Sequence, residues 1–435
     1  MDRNIEYALQ TSRQRGVSFV RLWYPDVLGT LKGVAFPISE LEAVITDGIG
    51  VDGSALEGGA RQAELDVVAR PSLNTFQVLP WRPDASVARM FADLEMPDGT
   101  PFDGDPRAVL AKVVCAAEAH GFSPQIGVEH EFYVFEQLTG DGPPTPVAPG
   151  SYFDLTPNDI ATDFRRFSIS FLEHLGIAVR ASYHEAGPSQ QEFVLAHADA
   201  LSTADAVMTF RMATKQAAHN LGTYASFMPK PLADEPGSGM HVHCSLFDGD
   251  DRNLFHDDAD PDAPLSAVGR QFMAGVLRHA PEFTAVTNQW VNSYTRLVGG
   301  HEAPDSVTWS RRHANPLVRV PGHRPGRASA KRIELRSPDA GANPYLVFAL
   351  MLAAGLRGID RQYELPAETT HGATPPPSLP LDLRQAVDRF AESELVRETL
   401  GDRMIGWFVE NKRRDWAAFT SQVTDFERRQ SLPRL

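Results

Sequence analysis

The sequence predicts an α+β protein with a mostly antiparallel sheet. Three observations carry this. Residues 1–105 read as short β-rich runs separated by turn signals. The remainder alternates strand-like runs with amphipathic helical stripes. Few βαβ signals occur, which argues against a parallel sheet. A chain of 435 residues has room for two to four domains and a large buried core. We place a boundary near residue 105, giving domains 1–105 and 106–435.

Taken in order, Val17 to Tyr24 is β-rich and ends at Pro25-Asp26, and Gly29-Thr30 marks a turn. Ser39 and Glu42 have capping-box spacing and predict a helix to about Asp47. Thr75–Leu79 and Val87–Leu94 read as strands, and Pro97-Asp98-Gly99 as a break. Asp105 is the predicted N-cap of a helix with Pro106 at its first position, the period Val109, Val113, Ala117 and a stop at Gly121. Ile160, Phe164, Phe167, Phe171 and Leu175 form one amphipathic stripe, closed by Gly176. Val207, Phe210, Thr214, Ala217 and Leu221 form another, closed by Gly222. Asn343-Pro344 opens an apolar helix. Residues 366–380 read as a loop, and the tail from Leu381 as charged helix carrying Trp407, Phe408, Trp416 and Phe419 for docking.

Composition excludes several function classes. Acidic residues outnumber basic ones 56 to 41, a net charge of −15, which argues against a nucleic-acid binder. Only Cys115 and Cys244 occur, so no disulfide framework is expected and a cytoplasmic location is the simplest reading. The start lacks the apolar core of a signal peptide. The most apolar run, Tyr345 to Leu356, is too short for a bilayer span of about 20 residues, so no membrane partner is expected.

The informative features are strands whose polar face is chemically specific. Along Ile126–Phe135, Val128, His130, Phe132 and Val134 alternate with Glu129 and Glu131. Along Met240–Phe247, the apolar set Met240, Val242, Cys244 and Leu246 alternates with His241, His243 and Ser245. Arg332, Glu334 and Arg336 share a third face. Tyr183-His184-Glu185 turns back into Gln191-Glu192-Phe193, putting a glutamate on each flank of a hairpin. Each pattern alone is what a solvated face or a packed histidine would give. Together, Glu129, Glu131, Glu185, Glu192 and Glu334 with His241 could converge if their strands are neighbours. At about 4 Å and an effective dielectric near 20, each carboxylate pair repels by roughly 4 kcal/mol, which protons or cations must relieve. Oxygen ligands with an imidazole suit Mg²⁺ or Mn²⁺, and such ions suit phosphoryl transfer from a nucleotide. Gly48, Gly50 and Gly53 match the dinucleotide fingerprint but follow a helix, so that reading is rejected. No P-loop, nucleophile elbow or C-x-x-C is present.

The chain resembles the glutamine synthetase family, type I-like, over nearly its whole length. The resemblance rests on ordered segments. They include those beginning at Val51, Gly127, His184, Phe227, Gly237, Asn292, His301, Arg332 and Asn343. It implies an N-terminal β-grasp domain, a C-terminal catalytic domain with a curved sheet, and a ring homo-oligomer, typically a dodecamer. It further implies ATP and two or three Mg²⁺ or Mn²⁺ per site. The reaction implied joins glutamate to ammonia or an amine through a γ-glutamyl phosphate. Carried across by motif, Glu131, Glu185 and Glu192 match the ligands of one metal, and Glu129, His241 and Glu334 those of the metal bridging the ATP phosphates. His243, Ser245 and Arg332 match nucleotide contacts. Arg296 and Arg336 match glutamate-carboxylate contacts, with Gly237 on the loop that holds that substrate. Glu302 matches the flap glutamate that takes a proton from the amine. Arg319 keeps its spacing from Glu302 in the catalytic set, and Asp52, Tyr152 and Glu185 match the ammonium pocket, Asp52 reaching a neighbouring subunit's site.

Some positions depart. His313, Ala314 and Asn315 replace an Asn-Arg-Ser element whose arginine steadies the phosphoryl group, and Arg311 or Arg312 are the candidates to take its place. Ala55 replaces a serine, and Pro236 stands where many members have Asn. The wording also resembles actinobacterial paralogues that include γ-glutamylpolyamine synthetases, so a larger amine is an alternative. A catalytically impaired member with a structural or sensing role is another. Tyr363 lies in a segment similar to the family's adenylylation site.

Overall fold

The computed structural model describes residues 3–58, 64–81, 86–138, 142–155, 160–257, 259–260, 263–298, 302–312, 315–324, 326–369 and 377–435. Two sheets organise the chain. The first contains β1 (Phe19–Pro25), β2 (Leu31–Pro37), β3 (Ile49–Asp52), β4 (Asp66–Val78) and β5 (Val87–Glu95) in the order β2-β1-β5-β4-β3. Its pairs are antiparallel except β1 with β5. The second has nine strands: β6 (Ser123–Glu136), β7 (Val179–His184), β8 (Gln190–Leu195), β9 (Ala198–Asp199), β10 (Thr223–Ser226), β11 (Met240–Phe247), β12 (Trp309–Ser310), β13 (Val318–Arg319) and β14 (Ile333–Leu335). Its main path is β12-β13-β14-β11-β6-β8-β7, and only β12 with β13 is parallel. The mostly antiparallel expectation therefore holds.

Several sequence signals fold as read. The Asp105 carboxylate accepts from Arg107 N at 2.9 Å and caps helix Pro106–Ala119. It also accepts from Leu94 N at 3.1 Å, so one side chain ties that helix to β5. Asn343 caps Pro344–Asp360 by accepting from Tyr345 N at 3.1 Å. Its amide donates to the backbone oxygens of Asp26 and Val27 at 3.3 and 3.2 Å, pinning the first sheet's β1–β2 turn to the second unit. Gly29 in that turn has φ +75°, and a Cβ there would meet Asn343 Cα at 2.9 Å.

Three local readings need correction. The capping box at Ser39 does not form. Residues Ile38–Glu40 make a 3₁₀ turn, and helix Leu41–Asp47 starts after it with no side-chain cap. β4 runs from Asp66, well ahead of Thr75: Pro71 keeps its register with Ala92, and Asn74 falls in an irregular stretch between Ser72 and Gln77, so neither ends the strand. Phe419 in the tail is exposed, whereas Trp407 packs on Phe102 and Phe408 on Phe390.

The second sheet's inward face is apolar. Val128, Phe132 and Val134 of β6 lie under Phe164, Phe193, Phe210 and Phe227. His130 is fully buried among these rings and accepts from Arg211 Nε at 3.2 Å. Burial first, then the Arg211 charge, hold it well below the ordinary histidine range. It is a packed neutral histidine. Behind it, helices Ala267–Thr287 and Pro344–Asp360 cross closely through Gly275 and Gly358. No helix among the described residues is long and apolar enough to cross a membrane.

A methyl group at Gly275 would sit 2.1 Å from the Ala354 carbonyl oxygen and 2.9 Å from Gly358 Cα, so the backbones must separate. Gly275→Ala is expected to cost about 3 kcal/mol in denaturant unfolding. Gly406→Ala, in open space on an exposed helix face, should instead stabilise by up to about 1 kcal/mol.

Candidate active site

The second sheet's outer face brings the acidic residues together through strand register. Glu129 on β6 faces His241 on β11, and Glu131 faces Glu192 on β8. His243 faces Glu334 on β14, and Glu334 faces Arg319 on β13. In antiparallel pairs, directly opposed residues share a face with Cβ atoms about 5 Å apart. Side chains spread over more than 200 positions of sequence thus meet in one patch.

His243 Nε2 lies 2.9 Å from Glu129 Oε1, close but not aligned as a hydrogen bond. His241 Nδ1 lies 3.7 Å from Glu129 Oε2 and 3.6 Å from Glu334 Oε1, and its Nε2 lies 3.8 Å from Glu131 Oε1. Donor atoms of Glu129, His243 and Glu334 can all fall within 4.8 Å of one another. His243 is therefore as well placed to ligate an ion as His241. Glu334 is buried and paired to Arg319 Nη1 and Arg336 Nη1, each at 3.2 Å.

Electrostatics divide the patch. Burial opposes ionisation of Glu129, but the adjacent His241 and His243 outweigh it and hold the carboxyl well below its usual range. Glu334 is also held down, by the two imidazoles and Arg336 against its burial. On the other side, burial and then the Glu131 charge push Glu185 up to about 7. Burial, Glu131 and Glu129 raise Glu192 well above the normal range. Two carboxyls that resist ionisation beside a third are a donor set that a cation would discharge. Carboxylate oxygens with imidazoles fit a hard divalent ion.

Around this core, Glu131 Oε2 accepts from Gly239 N at 2.8 Å and from Gln190 Nε2 at 3.4 Å. Arg296 is buried and donates to Ser337 O at 2.8 Å and Arg336 O at 3.2 Å. Gly237 lies against it, where a Cβ would come 2.6 Å from Arg296 Cγ. Tyr152 donates its hydroxyl to Glu302, whose φ is +58°. Glu131, Glu185, Gln190, Gly237, Arg296 and Glu302 border a cavity of about 10 Å³, room for about one water. Arg332 Nε lies 3.1 Å from His243 Nδ1, and Ser245 donates to Lys331 O at 2.9 Å. Asp52 is not at this patch. It closes a turn of the first sheet, accepting from Ser54 N and Leu65 N at 3.0 Å.

His313 and Ala314 lie outside the described residues. Arg311 is engaged elsewhere, with Nε and Nη2 on Glu368 at 3.0 and 2.8 Å, so it does not stand in for the missing arginine. Sequence reasoning missed Gln190 and Tyr183. Gln190 shares the alternation of Glu192 and could have been found from it. Tyr183, which donates to Glu192, is visible only through the β7–β8 register.

The glutamine synthetase catalytic domain matches residues 103–431, and the glutamine synthetase β-grasp domain matches residues 16–97. A Mycolicibacterium smegmatis glutamine synthetase is 48% identical over 441 residues, covering 98% of each chain. A Mycobacterium tuberculosis glutamine synthetase is 48% identical over 446 residues, covering 99% of this chain and all of that one. A solved GmaS/ADP complex superposes with a TM-score of 0.87 at 31% identity, covering 98% of this chain and 99% of that chain. Fold and sequence together define an ATP-dependent ligase built of a β-grasp domain and a catalytic domain. The chain belongs to the glutamine synthetase family. That family generally uses ATP and divalent metals with glutamate and ammonia or amine substrates.

Glu185 supplies a pH test in divalent-free buffer. Its carboxyl titrates near 7 when folded and near 4.5 when unfolded, so it costs nothing below pH 4.5 and its stabilising neutral form is lost as pH rises through 7. Relative to Glu185→Gln, the wild type should lose up to about 3 kcal/mol between pH 4.5 and 8 in denaturant titrations. A gap that stays level or narrows with pH would contradict the assignment.

Proposed function

We propose that the protein joins the γ-carboxylate of glutamate to ammonia through a γ-glutamyl phosphate. The observation that carries this is the joint placement of a carboxylate-rich patch and two imidazoles on one sheet face, with the Arg336 guanidinium at its edge and Arg296 reaching it from helix Val291–Val298. A carboxylate is a poor electrophile until it carries a phosphate leaving group, and phosphoryl transfer is mainly positioning and charge neutralisation. Divalent ions held by Glu131, Glu185 and Glu192, and by Glu129, His241 and Glu334 with His243 in reach, would neutralise phosphate charge. Mg²⁺ and Mn²⁺ both suit these donors.

The chain's own residues supply the rest. Arg336 keeps a buried Nε without a hydrogen-bond partner among the described residues, a donor suited to a substrate carboxylate. Arg296, held rigid by two backbone carbonyls, is the second carboxylate contact, and Gly237 lets the loop close on it. Arg319 sits on the phosphate side beside Glu334. His243, Ser245 and Arg332 form the nucleotide side. Glu302, positioned by Tyr152, accepts a proton from the attacking amine, with Glu185 beside it. Tyr152 and Glu185, the two ammonium-pocket positions retained beside Glu302, favour ammonia over a bulky amine. Asp52 serves the ammonium pocket of a neighbouring subunit, in a ring homo-oligomer such as a dodecamer. The domains divide near residue 105, and the protein works in the cytoplasm.

A second reading, a γ-glutamylamide synthetase using a substituted amine, is supported by the GmaS neighbour, a γ-glutamylmethylamide synthetase, and by Ala55 in the 3₁₀ helix that Asp52 caps. Phosphate release with ATP, Mg²⁺ or Mn²⁺ and glutamate, combined in turn with ammonium, methylamine and polyamines, separates the readings. Glutamine should be the preferred product by mass spectrometry. Preference for methylamine or a polyamine would favour the second reading. No turnover with any amine, in assembled and metal-loaded protein, would favour an impaired member. Glu302→Gln is expected to lower kcat by about 10²-fold with metal binding unchanged, checked by calorimetry.

A further inference from the structure

The segment bearing Glu302 and Arg319 is bound along its outer edge by chain from far ahead in sequence. Trp309 Nε1 donates to Pro366 O at 2.7 Å, and Thr369 N donates back to Trp309 O at 3.0 Å. On the other side, Val307 N donates to Pro377 O at 2.8 Å and Leu379 N to Asp305 O at 2.9 Å. Residues 363–369 and 377–379 thus flank 305–310 as two straps. Tyr363 anchors the first strap under Arg278, whose guanidinium carbon lies 4.4 Å from the ring centroid.

The strongest tie is a single carboxylate. Glu368 accepts from Ser310 Oγ at 3.2 Å, from Arg311 N at 2.8 Å, and from Arg311 Nε and Nη2 at 3.0 and 2.8 Å. A bidentate guanidinium pair adds direction to the contact as well as strength. What it grips matters. Ser310 is the last residue of β12, and its oxygen receives Val320 N at 3.2 Å across the parallel pair with β13. Arg319, on β13, faces Glu334 directly and pairs with it. The chain of contacts runs from Glu368 to Ser310–Arg311, to β13, to Arg319 and Glu334. β12 is two residues long at the end of the sheet path, so it has little pairing of its own to hold it.

We propose that Glu368 is a positioning residue for phosphoryl transfer: through Arg311 and Ser310 it holds the β12–β13 edge, and so the Arg319 guanidinium, in register against Glu334. It touches no substrate. As a partly exposed ion pair it contributes little to global stability, so its effect is on geometry. The effect is one-sided. Arg296 is carried by helix Val291–Val298, and Arg336 follows β14, which is held on its far side by β11, so the glutamate contacts lean on Glu368 less than Arg319 does. The proposal rests on the ligase reading above for its kinetic arm only.

The test compares wild type with Glu368→Ala, Glu368→Gln, Arg311→Ala and the Glu368→Ala/Arg311→Ala double variant. Wild-type phosphate release first establishes the ligase reading on its own. Given that turnover, Glu368→Ala and Arg311→Ala should each lower kcat about tenfold or more, with the glutamate KM within about twofold and the melting temperature nearly unchanged. The double variant should match the single ones, because both act through one contact. Glu368→Gln, which keeps an acceptor but loses the charge, should fall between. Hydrogen exchange supplies an arm independent of activity. The Val318 and Val320 amides should exchange faster in Glu368→Ala, while Val242 and Cys244 on β11 stay protected. Unchanged exchange at Val318 and Val320, or an unaltered kcat, overturns the proposal, as does a glutamate KM that rises along with a fall in melting temperature. If wild type shows no turnover, the ligase reading fails and the exchange arm alone decides whether Glu368 braces this edge.

Discussion

Mutual repulsion among the buried glutamates is the constraint around which the second sheet is organised. Glu131, Glu185 and Glu192 are forced together by β6, β8 and the turn after β7, and burial makes the charges of Glu185 and Glu192 costlier. Evolution has no reason of stability to assemble such a group. On the opposite side, Glu129 and Glu334 are compensated by imidazoles and arginines and stay ionised. The patch therefore has an internally balanced half beside Arg319, Arg332 and Arg336, and an unbalanced half beside Tyr152 and Glu302. A ligase that must handle phosphate charge at one end and an incoming amine at the other has use for both.

The rigidity that sustains this strain comes from behind. β6 and β11 present apolar side chains to an aromatic layer of Phe132, Phe164, Phe193, Phe210 and Phe227, and further back lie helices that approach through Gly275 and Gly358. A close-packed interior resists the small strand displacements by which repelling carboxylates would otherwise separate. The nearer edge, β12–β13–β14, buries Val318, Ile333 and Leu335 in the same core, but its strands are very short and carry few ladder hydrogen bonds of their own. Its order is borrowed from the loop segments that cross it, which is why a residue as remote as Glu368 bears on Arg319.

Much of the local structure was legible. The caps at Asp105 and Asn343, the two amphipathic stripes, and the polar and apolar faces of β6 and β11 follow from rules of short range. Where reading failed, a neighbour intervened. Ser39 lost its capping role to a 3₁₀ turn, and β4 ran through Pro71 and Asn74 because β5 pairs with it on both sides of the irregularity. At the site, the types of residue were readable, but their company was not. His241 and His243 are equivalent in the alternation, and only coordinates set His243 nearer Glu129.

The sequence by itself determined which side chains share a strand face, because alternation has a period of two and needs no partner. It also determined which helices begin where, because a cap is a contact within a few residues. Tertiary structure alone decided that β6, β8, β11, β13 and β14 are neighbours, and in what register. It decided too that Glu368 grips Arg311. Those pairings join residues far apart along the chain, and what selects them is the burial of whole faces against one another, a property no single segment contains.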